Sequence, residues 1–168
     1  MRALMVGGGC RGLELALDLV AEGHAVRAVT RRPEGRAAIE AAGAECFIGD
    51  PDVVGTLRYA LDNVTVLLWL LGTAKGPANK VAALHGSRLR MMLERTTDTT
   101  VRGVVYEAAG TVDPAVLATG VEEMRHAQRT NEIPYALTTA AREDRAAWLA
   151  DARAAIHGLL TARRGAAA

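Results

Sequence analysis

Residues 4–12 read Leu-Met-Val-Gly-Gly-Gly-Cys-Arg-Gly, so an apolar strand leads directly into a glycine-rich turn at the start of the chain. Gly7, Gly9 and Gly12 have the spacing G-x-G-x-x-G, and a leucine- and alanine-rich helical pattern follows as far as Gly23. In such a turn the first glycine permits the tight bend, the second lets the backbone approach a pyrophosphate, and the third lets the helix pack on the strand. The pattern predicts a dinucleotide-binding turn; the alternative is a glycine-rich turn that only packs.

The helix after the turn would supply the groups that bind phosphate. Its first N–H groups have no partner within the helix, and the positive end of the helix dipole lies there, so an anion is stabilised without a charged side chain. We therefore predict that Cys10 and Arg11, in the first helical turn, bind the cofactor together with the three glycines. A helix N-terminus also lowers thiol pKa values, but a small residue that fits beneath the cofactor is the simpler interpretation of Cys10.

The end of the second predicted strand indicates which dinucleotide is preferred. A site for NAD(H) usually places Asp or Glu there to bind the ribose hydroxyls, whereas this chain has Arg31 and Arg32. A guanidinium donates paired hydrogen bonds to a 2′-phosphate, which an acid would repel, so NADP(H) is favoured over NAD(H). Because 18 of the 20 basic residues are arginine, composition explains arginine rather than lysine here, but it does not explain the missing acid.

Length and composition predict one domain over residues 1–161 and a frayed tail over residues 162–168. The net charge of +1 and the 4% aromatic content argue against a nucleic-acid-binding surface. The longest apolar stretch, residues 64–71, is too short to span a bilayer, so no membrane contact is expected. Two cysteines fit free thiols in a reducing compartment, and we expect a cytoplasmic protein.

Short apolar runs alternate with longer helical patterns along the chain, which is typical of βαβ units and a parallel sheet. Strands are predicted at residues 3–6, 25–30, 45–48, 65–71, 102–107 and 135–139. Helices are predicted near residues 36–42, 53–61, 80–95, 114–130 and 141–160. The expected fold is α/β, a doubly wound parallel sheet of the Rossmann type with strand order 3-2-1-4-5-6 and a ligand crevice beyond strands 1 and 4.

Several segments then carry a family resemblance. Residues 43–50, Gly-Ala-Glu-Cys-Phe-Ile-Gly-Asp, together with residues 84–87, 101–106 and 133–138, resemble extended or atypical short-chain dehydrogenases/reductases, with NmrA-like members the nearest. The resemblance implies that Asp50 contacts adenine and that the loop containing Leu71 and Gly72 lines the ribose. It also implies that a homodimer forms through the fourth and fifth helices.

The catalytic pair of that family is missing. Such reductases use Tyr-x-x-x-Lys, but this chain has no tyrosine between Tyr106 and Tyr135 and no lysine after Lys80. Tyr106, Glu107 and Thr111, after the fifth strand, are the candidate substitutes expected to face the crevice. Neighbouring strand residues point to opposite sides, so at most one of Tyr106 and Glu107 could face a cofactor, and a core tyrosine with a bonded hydroxyl is the alternative.

The remaining polar residues are open to simpler interpretations. Lys75, in a glycine-flanked loop, could reach a phosphate or a substrate carboxylate, or it could be a solvated loop lysine. His85 lies on an apolar helix face, which favours a packed histidine. None of the four histidines has a second ligand at zinc spacing, so no metal site is predicted. Residues 142–145 are interpreted as a solvated helix start.

Two functions follow from these observations. One is an NADP(H)-dependent oxidoreductase that acts on a small-molecule carbonyl or similar acceptor. The other is a non-catalytic NmrA-like NADP(H) sensor that associates with a protein partner, which the missing catalytic pair favours. A methyltransferase that binds S-adenosylmethionine is disfavoured because the second strand ends in arginines rather than an acid.

Overall fold

A computed structural model describes residues 1–162 and shows an α/β fold built on one six-stranded parallel sheet. The strands are β1 (Arg2–Gly7), β2 (Ala25–Thr30), β3 (Glu45–Ile48), β4 (Val66–Leu70), β5 (Gly103–Glu107) and β6 (Tyr135–Thr138). Their order is β3-β2-β1-β4-β5-β6, as predicted. In the register, Met5 of β1 lies between Ala28 of β2 and Leu68 of β4.

Six α-helices cover the two faces of the sheet within the described residues. They are α1 (Gly9–Ala21), α2 (Arg36–Ala41), α3 (Ala78–His85), α4 (Ser87–Thr96), α5 (Pro114–Asn131) and α6 (Arg145–Ala162). Alternate residues of β1 enter two separate cores, because successive strand side chains point to opposite faces. Met5 packs in the core that contains Trp148 of α6, and Leu4 packs in the core that contains Trp69 of β4. Every residue of β4 is buried, as expected for a strand covered on both faces.

The prediction of one continuous helix over residues 80–95 is wrong, because the structure has two helices there. The chain leaves the helical conformation at Gly86, which has φ −121° and ψ −103°, and this separates α3 from α4. The indole of Trp69 donates a 3.0 Å hydrogen bond to the carbonyl of Leu84, one of the carbonyls left free where α3 ends. The apolar pattern runs through the break, so periodicity alone could not reveal it.

Two other helices differ from their predicted form. Residues Val54–Leu61 form a 3₁₀ helix. The last helix begins at Arg145 rather than at residue 141, because Asp144 caps it: a carboxylate oxygen accepts a 3.0 Å hydrogen bond from the N–H of Ala147. Ala162, predicted as part of the tail, is the last residue of α6, and the rest of that tail lies outside the described residues.

No helix within residues 1–162 has the length and apolar character needed to cross a membrane.

Candidate functional site

A cleft of about 550 Å³ opens at the carboxyl ends of the strands, at the place where the strand order reverses. Gly7 and Gly9 form one wall, Arg31 lies at the end of β2, and Asp50 follows β3. Residues 74–77, in the loop between β4 and α3, also line the cleft. In open α/β sheets, ligands bind in the crevice at this position. The cleft is therefore the candidate ligand site.

Three consecutive glycines bend the chain between β1 and α1. Gly7 and Gly8 have φ values of +84° and +86°, a conformation that side chains disfavour. Gly8, which the motif leaves unspecified, is equally constrained, because a Cβ there would lie 2.7 Å from the Cα of Gly12. Gly8 is the N-cap of α1 and provides no side-chain cap, so the first N–H groups of α1 have no side-chain acceptor among the described residues.

The five predicted residues of this turn take different positions. Gly7 and Gly9 line the cleft, but Gly12 is buried beneath it, where a Cβ would lie 3.0 Å from the sulfur of Met5. Cys10 is exposed and does not line the cleft. The Arg11 guanidinium instead bonds Glu14 at 3.2 Å and the carbonyl of Arg142 at 3.4 Å. The turn thus presents its backbone to the cleft, whereas the Arg11 side chain bonds elsewhere.

The two arginines that follow β2 differ in their position relative to the cleft. Arg31 lines the cleft and Arg32 does not, although both are exposed. Arg32 starts a 3₁₀ turn, and its N–H donates a 3.3 Å hydrogen bond to the hydroxyl of Thr30. Only Arg31 is in position to meet a ligand in the cleft.

Two acids follow β3 on the floor of the cleft. Asp50, predicted at the adenine, lines the cleft and accepts a 2.9 Å hydrogen bond from the N–H of Asp52. Asp52, which sequence reasoning missed, bonds Lys80 at 2.8 Å and Arg88 at 3.3 Å. The hydrogen bond from Lys80 is the main reason that the pKa of Asp52 lies below its usual value. The Lys80 ammonium is thus already paired, whereas the Asp50 carboxylate accepts only a backbone N–H among the described contacts.

The loop after β4 contributes two of its predicted residues to the cleft. Leu71 and Lys75 line it, and the Lys75 side chain is exposed. Gly72 is buried outside the cleft lining, and its N–H donates a 2.7 Å hydrogen bond to the Glu107 carboxylate. Gly72 therefore connects the loop to β5 rather than facing the cleft.

Tyr106 is a core residue with a bonded hydroxyl, as the alternative interpretation predicted, and it does not face the crevice. It is fully buried, and its hydroxyl lies 2.7 Å from Nδ1 of His85 and 3.1 Å from the carbonyl of Leu117. Nε2 of His85 lies 3.2 Å from the carbonyl of Leu71. A neutral His85 protonated on Nε2 donates to Leu71 and accepts the single hydroxyl proton of Tyr106, which is then not donated to Leu117. Burial lowers the pKa of His85 and raises that of Tyr106, so both groups stay neutral.

Glu107 is also buried, with 1% of its surface exposed, and it accepts hydrogen bonds from three parts of the chain. Besides the N–H of Gly72, the donors are Nε1 of Trp148 at 2.8 Å and the Arg142 guanidinium at 2.9 Å. Arg142 also donates to the carbonyl of Gly8 and lies over the Trp148 ring, 5.2 Å from its centroid. The interpretation of residues 142–145 as a solvated helix start is therefore wrong for Arg142, whose side chain is only 14% exposed.

Thr111 is exposed and does not line the cleft. All three candidate catalytic residues thus lie outside the cleft lining. Sequence reasoning could not foresee the network of Glu107, Arg142 and Trp148, because its members are up to 41 residues apart.

The histidines were predicted to lack metal partners, yet the fold brings two of them to one carboxylate. Nε2 of His157 lies 3.1 Å from Oε2 of Glu22, and Nε2 of His24 lies 3.9 Å from the same oxygen. Arg153 pairs with Glu22 as well. This cluster lies at the amino ends of the strands, away from the cleft, and His157 is too distant in sequence for a spacing argument to find it.

No protein-family model and no curated protein matches the chain. Solved structures do match, at 12–19% identity. A short-chain dehydrogenase/reductase superfamily protein from Agrobacterium tumefaciens with bound NAD matches 83% of this chain and 48% of its own, with a TM-score of 0.68 and 19% identity. Triphenylmethane reductase from Citrobacter sp., complexed with NADP(H), matches 83% and 49%, with a TM-score of 0.61 and 19% identity.

UDP-glucose 4-epimerase from Thermotoga maritima has a TM-score of 0.67 at 12% identity, over 83% of this chain and 55% of the epimerase. The chain thus spans about half the length of these proteins. What it shares with them is the doubly wound Rossmann fold.

Proposed function

We propose that the chain binds NADP(H) in the cleft beyond β1, β2 and β4. One arrangement carries this proposal: a single cleft joins the glycine turn at the start of α1 to Arg31 at the end of β2. The turn offers backbone N–H groups to a pyrophosphate, and Arg31 offers a guanidinium to a ribose phosphate. The two solved structures that contain NAD or NADP(H) on the same fold support the proposal.

The residues on this side fit the adenosine part of such a cofactor. Gly9 opens towards the cleft, since a Cβ placed there would meet only the Arg142 guanidinium, at 3.6 Å. The Asp50 carboxylate lies on the cleft floor, where it would accept from the adenine amino group. Leu71 supplies apolar surface, and Lys75 adds a positive charge at the loop. When bound, the nicotinamide of NADP(H) supplies hydride chemistry.

Binding without turnover is the form of this function that the site favours. Tyr106 and Glu107 are buried and hydrogen-bonded, and Thr111 lies outside the cleft. The function we propose is therefore that of an NmrA-like sensor, which reports the NADP(H) state through association with a protein partner.

An NADP(H)-dependent oxidoreductase is the second candidate. It is favoured by the structural similarity to triphenylmethane reductase, whose complex contains NADP(H). In that case the proton would come from water or from a group other than the tyrosine and lysine pair.

The first experiment is calorimetric titration of the protein with NADPH and NADH, followed by a panel of carbonyl and flavin acceptors read as loss of NADPH absorbance. Tighter binding of NADPH than NADH without turnover supports the sensor. Turnover of any acceptor supports the oxidoreductase. If neither dinucleotide binds at millimolar concentration, the glycine turn has only a packing role and the proposed function is wrong.

We also propose a homodimer formed through α4 and α5. Arg90 of α4 and the buried Glu123 of α5 already pair at 2.6 Å, so the two helices present one continuous face. Light scattering that gives a single chain mass over a wide concentration range would contradict the dimer.

A further inference from the structure

We infer that the cleft accepts only the adenosine-phosphate half of a dinucleotide, because Arg142, Glu107 and Trp148 close the side of the crevice where the nicotinamide half would lie. This inference rests on the proposed function and narrows its ligand to an adenine nucleotide carrying phosphates, so the sensor would report occupancy by that nucleotide and not its redox state.

The lining of the cleft comes from one part of the chain. Among residues 1–162, every residue that lines it lies between Met5 and Leu84, so the lining comes from the part of the chain that contains β1 to β4. No described residue after β5 or β6 lines it. A doubly wound sheet consists of two mononucleotide-binding halves, and a dinucleotide crosses from one half to the other at the switch point. In this molecule the open part is bounded by the half that contains β1, β2 and β3 and by the segment after β4, whereas the segments after β5 and β6 do not line it.

Side chains fill the other half. The Arg142 guanidinium extends from the segment after β6 to the carbonyl of Gly8 in the glycine turn, so it spans the point where a dinucleotide would cross. It is held there by the ion pair with Glu107 at 2.9 Å and by the Trp148 ring beneath it. With 14% of the Arg142 side chain and 1% of the Glu107 side chain exposed, the pair is part of the protein interior.

Backbone contacts also join the loops that follow the strands of this half. The N–H of Val112 donates a 3.0 Å hydrogen bond to the carbonyl of Gly72, and a Cβ on Gly72 would lie 2.0 Å from the carbonyl oxygen of Ala109. The loops that follow β4 and β5 are therefore in direct contact. The N–H of Ala108 likewise donates to the carbonyl of Thr138, at 2.8 Å, and joins β5 to the end of β6.

The closed half would be costly to open. A nicotinamide riboside in this position has to displace Arg142, which leaves the buried Glu107 carboxylate without its counter-charge. The nicotinamide is uncharged in NADPH and positively charged in NADP⁺, and neither form replaces the paired hydrogen bonds of a guanidinium. The nicotinamide half therefore adds no affinity.

The test is a comparison of ligands on the full chain by calorimetry. The probes are NADPH, adenosine 2′,5′-bisphosphate, which is its adenosine half, and nicotinamide mononucleotide, which is the other half. We expect the bisphosphate to bind within fivefold of NADPH and the mononucleotide not to bind at millimolar concentration. A gap larger than fivefold in favour of NADPH, or binding of the mononucleotide, overturns the inference. If none of the three probes binds, it is the proposed function that fails.

The variant Arg142→Ala tests whether Arg142 is the group that blocks the nicotinamide half. Removal of the guanidinium should tighten NADPH binding at least threefold and leave the bisphosphate unchanged. Arg145→Ala, which removes a nearby exposed arginine paired with Glu14 at 2.7 Å, is the matched control and should change neither. Because Arg142→Ala leaves Glu107 unpaired, the double variant Glu107→Gln/Arg142→Ala serves as a second, uncharged version. Unchanged or weaker NADPH binding in whichever of these variants folds overturns the assignment of the block to Arg142.

Discussion

The two halves of the carboxyl edge of the sheet are built differently, although the same parallel strands form both. Beyond β1, β2 and β3 the chain presents backbone N–H groups, Arg31 and Asp50 to an open cleft. Beyond β5 and β6 it packs Glu107, Arg142 and Trp148 against one another. A doubly wound sheet thus provides two equivalent places for a ligand, and side chains decide whether each place binds a ligand or stabilises the fold.

The largest effect expected from this comparison is a loss of stability on the closed side. Glu107→Ala removes the acceptor shared by Gly72, Trp148 and Arg142 and leaves a buried guanidinium unpaired, so we expect unfolding to become easier by about 3–5 kcal/mol. Urea denaturation measures this change. Glu143→Ala, which removes an exposed acid from the same segment as Arg142, should stay within about 0.5 kcal/mol. Equal effects of the two variants would mean that the closed side is not a structural unit.

Substitutions on the open side should change the affinity for NADPH rather than the stability of the fold. Arg31→Ala removes a charged hydrogen-bond donor worth about 1.5–3 kcal/mol, so NADPH should bind roughly tenfold to a hundredfold more weakly. Arg32→Ala, whose side chain lies outside the cleft, is the control and should change the Kd less than about threefold. Titration with NADPH and NADH checks both variants. A loss of NADH affinity equal to the loss for NADPH would contradict a role in binding the 2′-phosphate.

The stability of the fold should depend on pH through His85, which connects Leu71 of the cleft wall to Tyr106 of β5 at the contact between the two halves. Burial lowers the pKa of His85, so below pH 6.5, its ordinary value, the unfolded chain takes up a proton that the folded chain resists. The stability from this group is therefore present above pH 6.5 and is lost as the pH falls, by at most about 1.4 kcal/mol per pH unit.

Urea denaturation at pH 5 to 8, compared with His85→Asn, isolates this contribution, because the other titrating groups are common to both proteins. Parallel stability curves for the two proteins would refute it.

The smallest effect is expected at Thr111, an exposed residue in the segment that follows β5. Thr111→Ala changes an exposed side chain outside the cleft, so stability should stay within about 0.5 kcal/mol and NADPH affinity should not change. A clear loss of binding would show that the segment after β5 reaches the ligand.

Local patterns were enough to predict the fold. The strand order followed from alternating apolar runs and crossover rules, and the turn at Gly7 and Gly9 followed from glycine spacing. The interruption at Gly86 was missed because the apolar pattern continues through it. The closed half was also missed, because the pairing of Glu107 with Arg142 depends on how β6 and α6 pack, which no local pattern encodes. Sequence pattern therefore predicts where ligands could bind more readily than which of those places is filled by the protein.

The chain has two tryptophans, and the fold places one in each of the cores on either side of the sheet. Both are fully buried, but the indole N–H of Trp148 donates to a carboxylate beneath a guanidinium, whereas that of Trp69 donates to the carbonyl of Leu84. Their emission is therefore expected to respond to different events. Phenylalanine at one position at a time would leave a single tryptophan, so that its emission would report on one of the two cores separately.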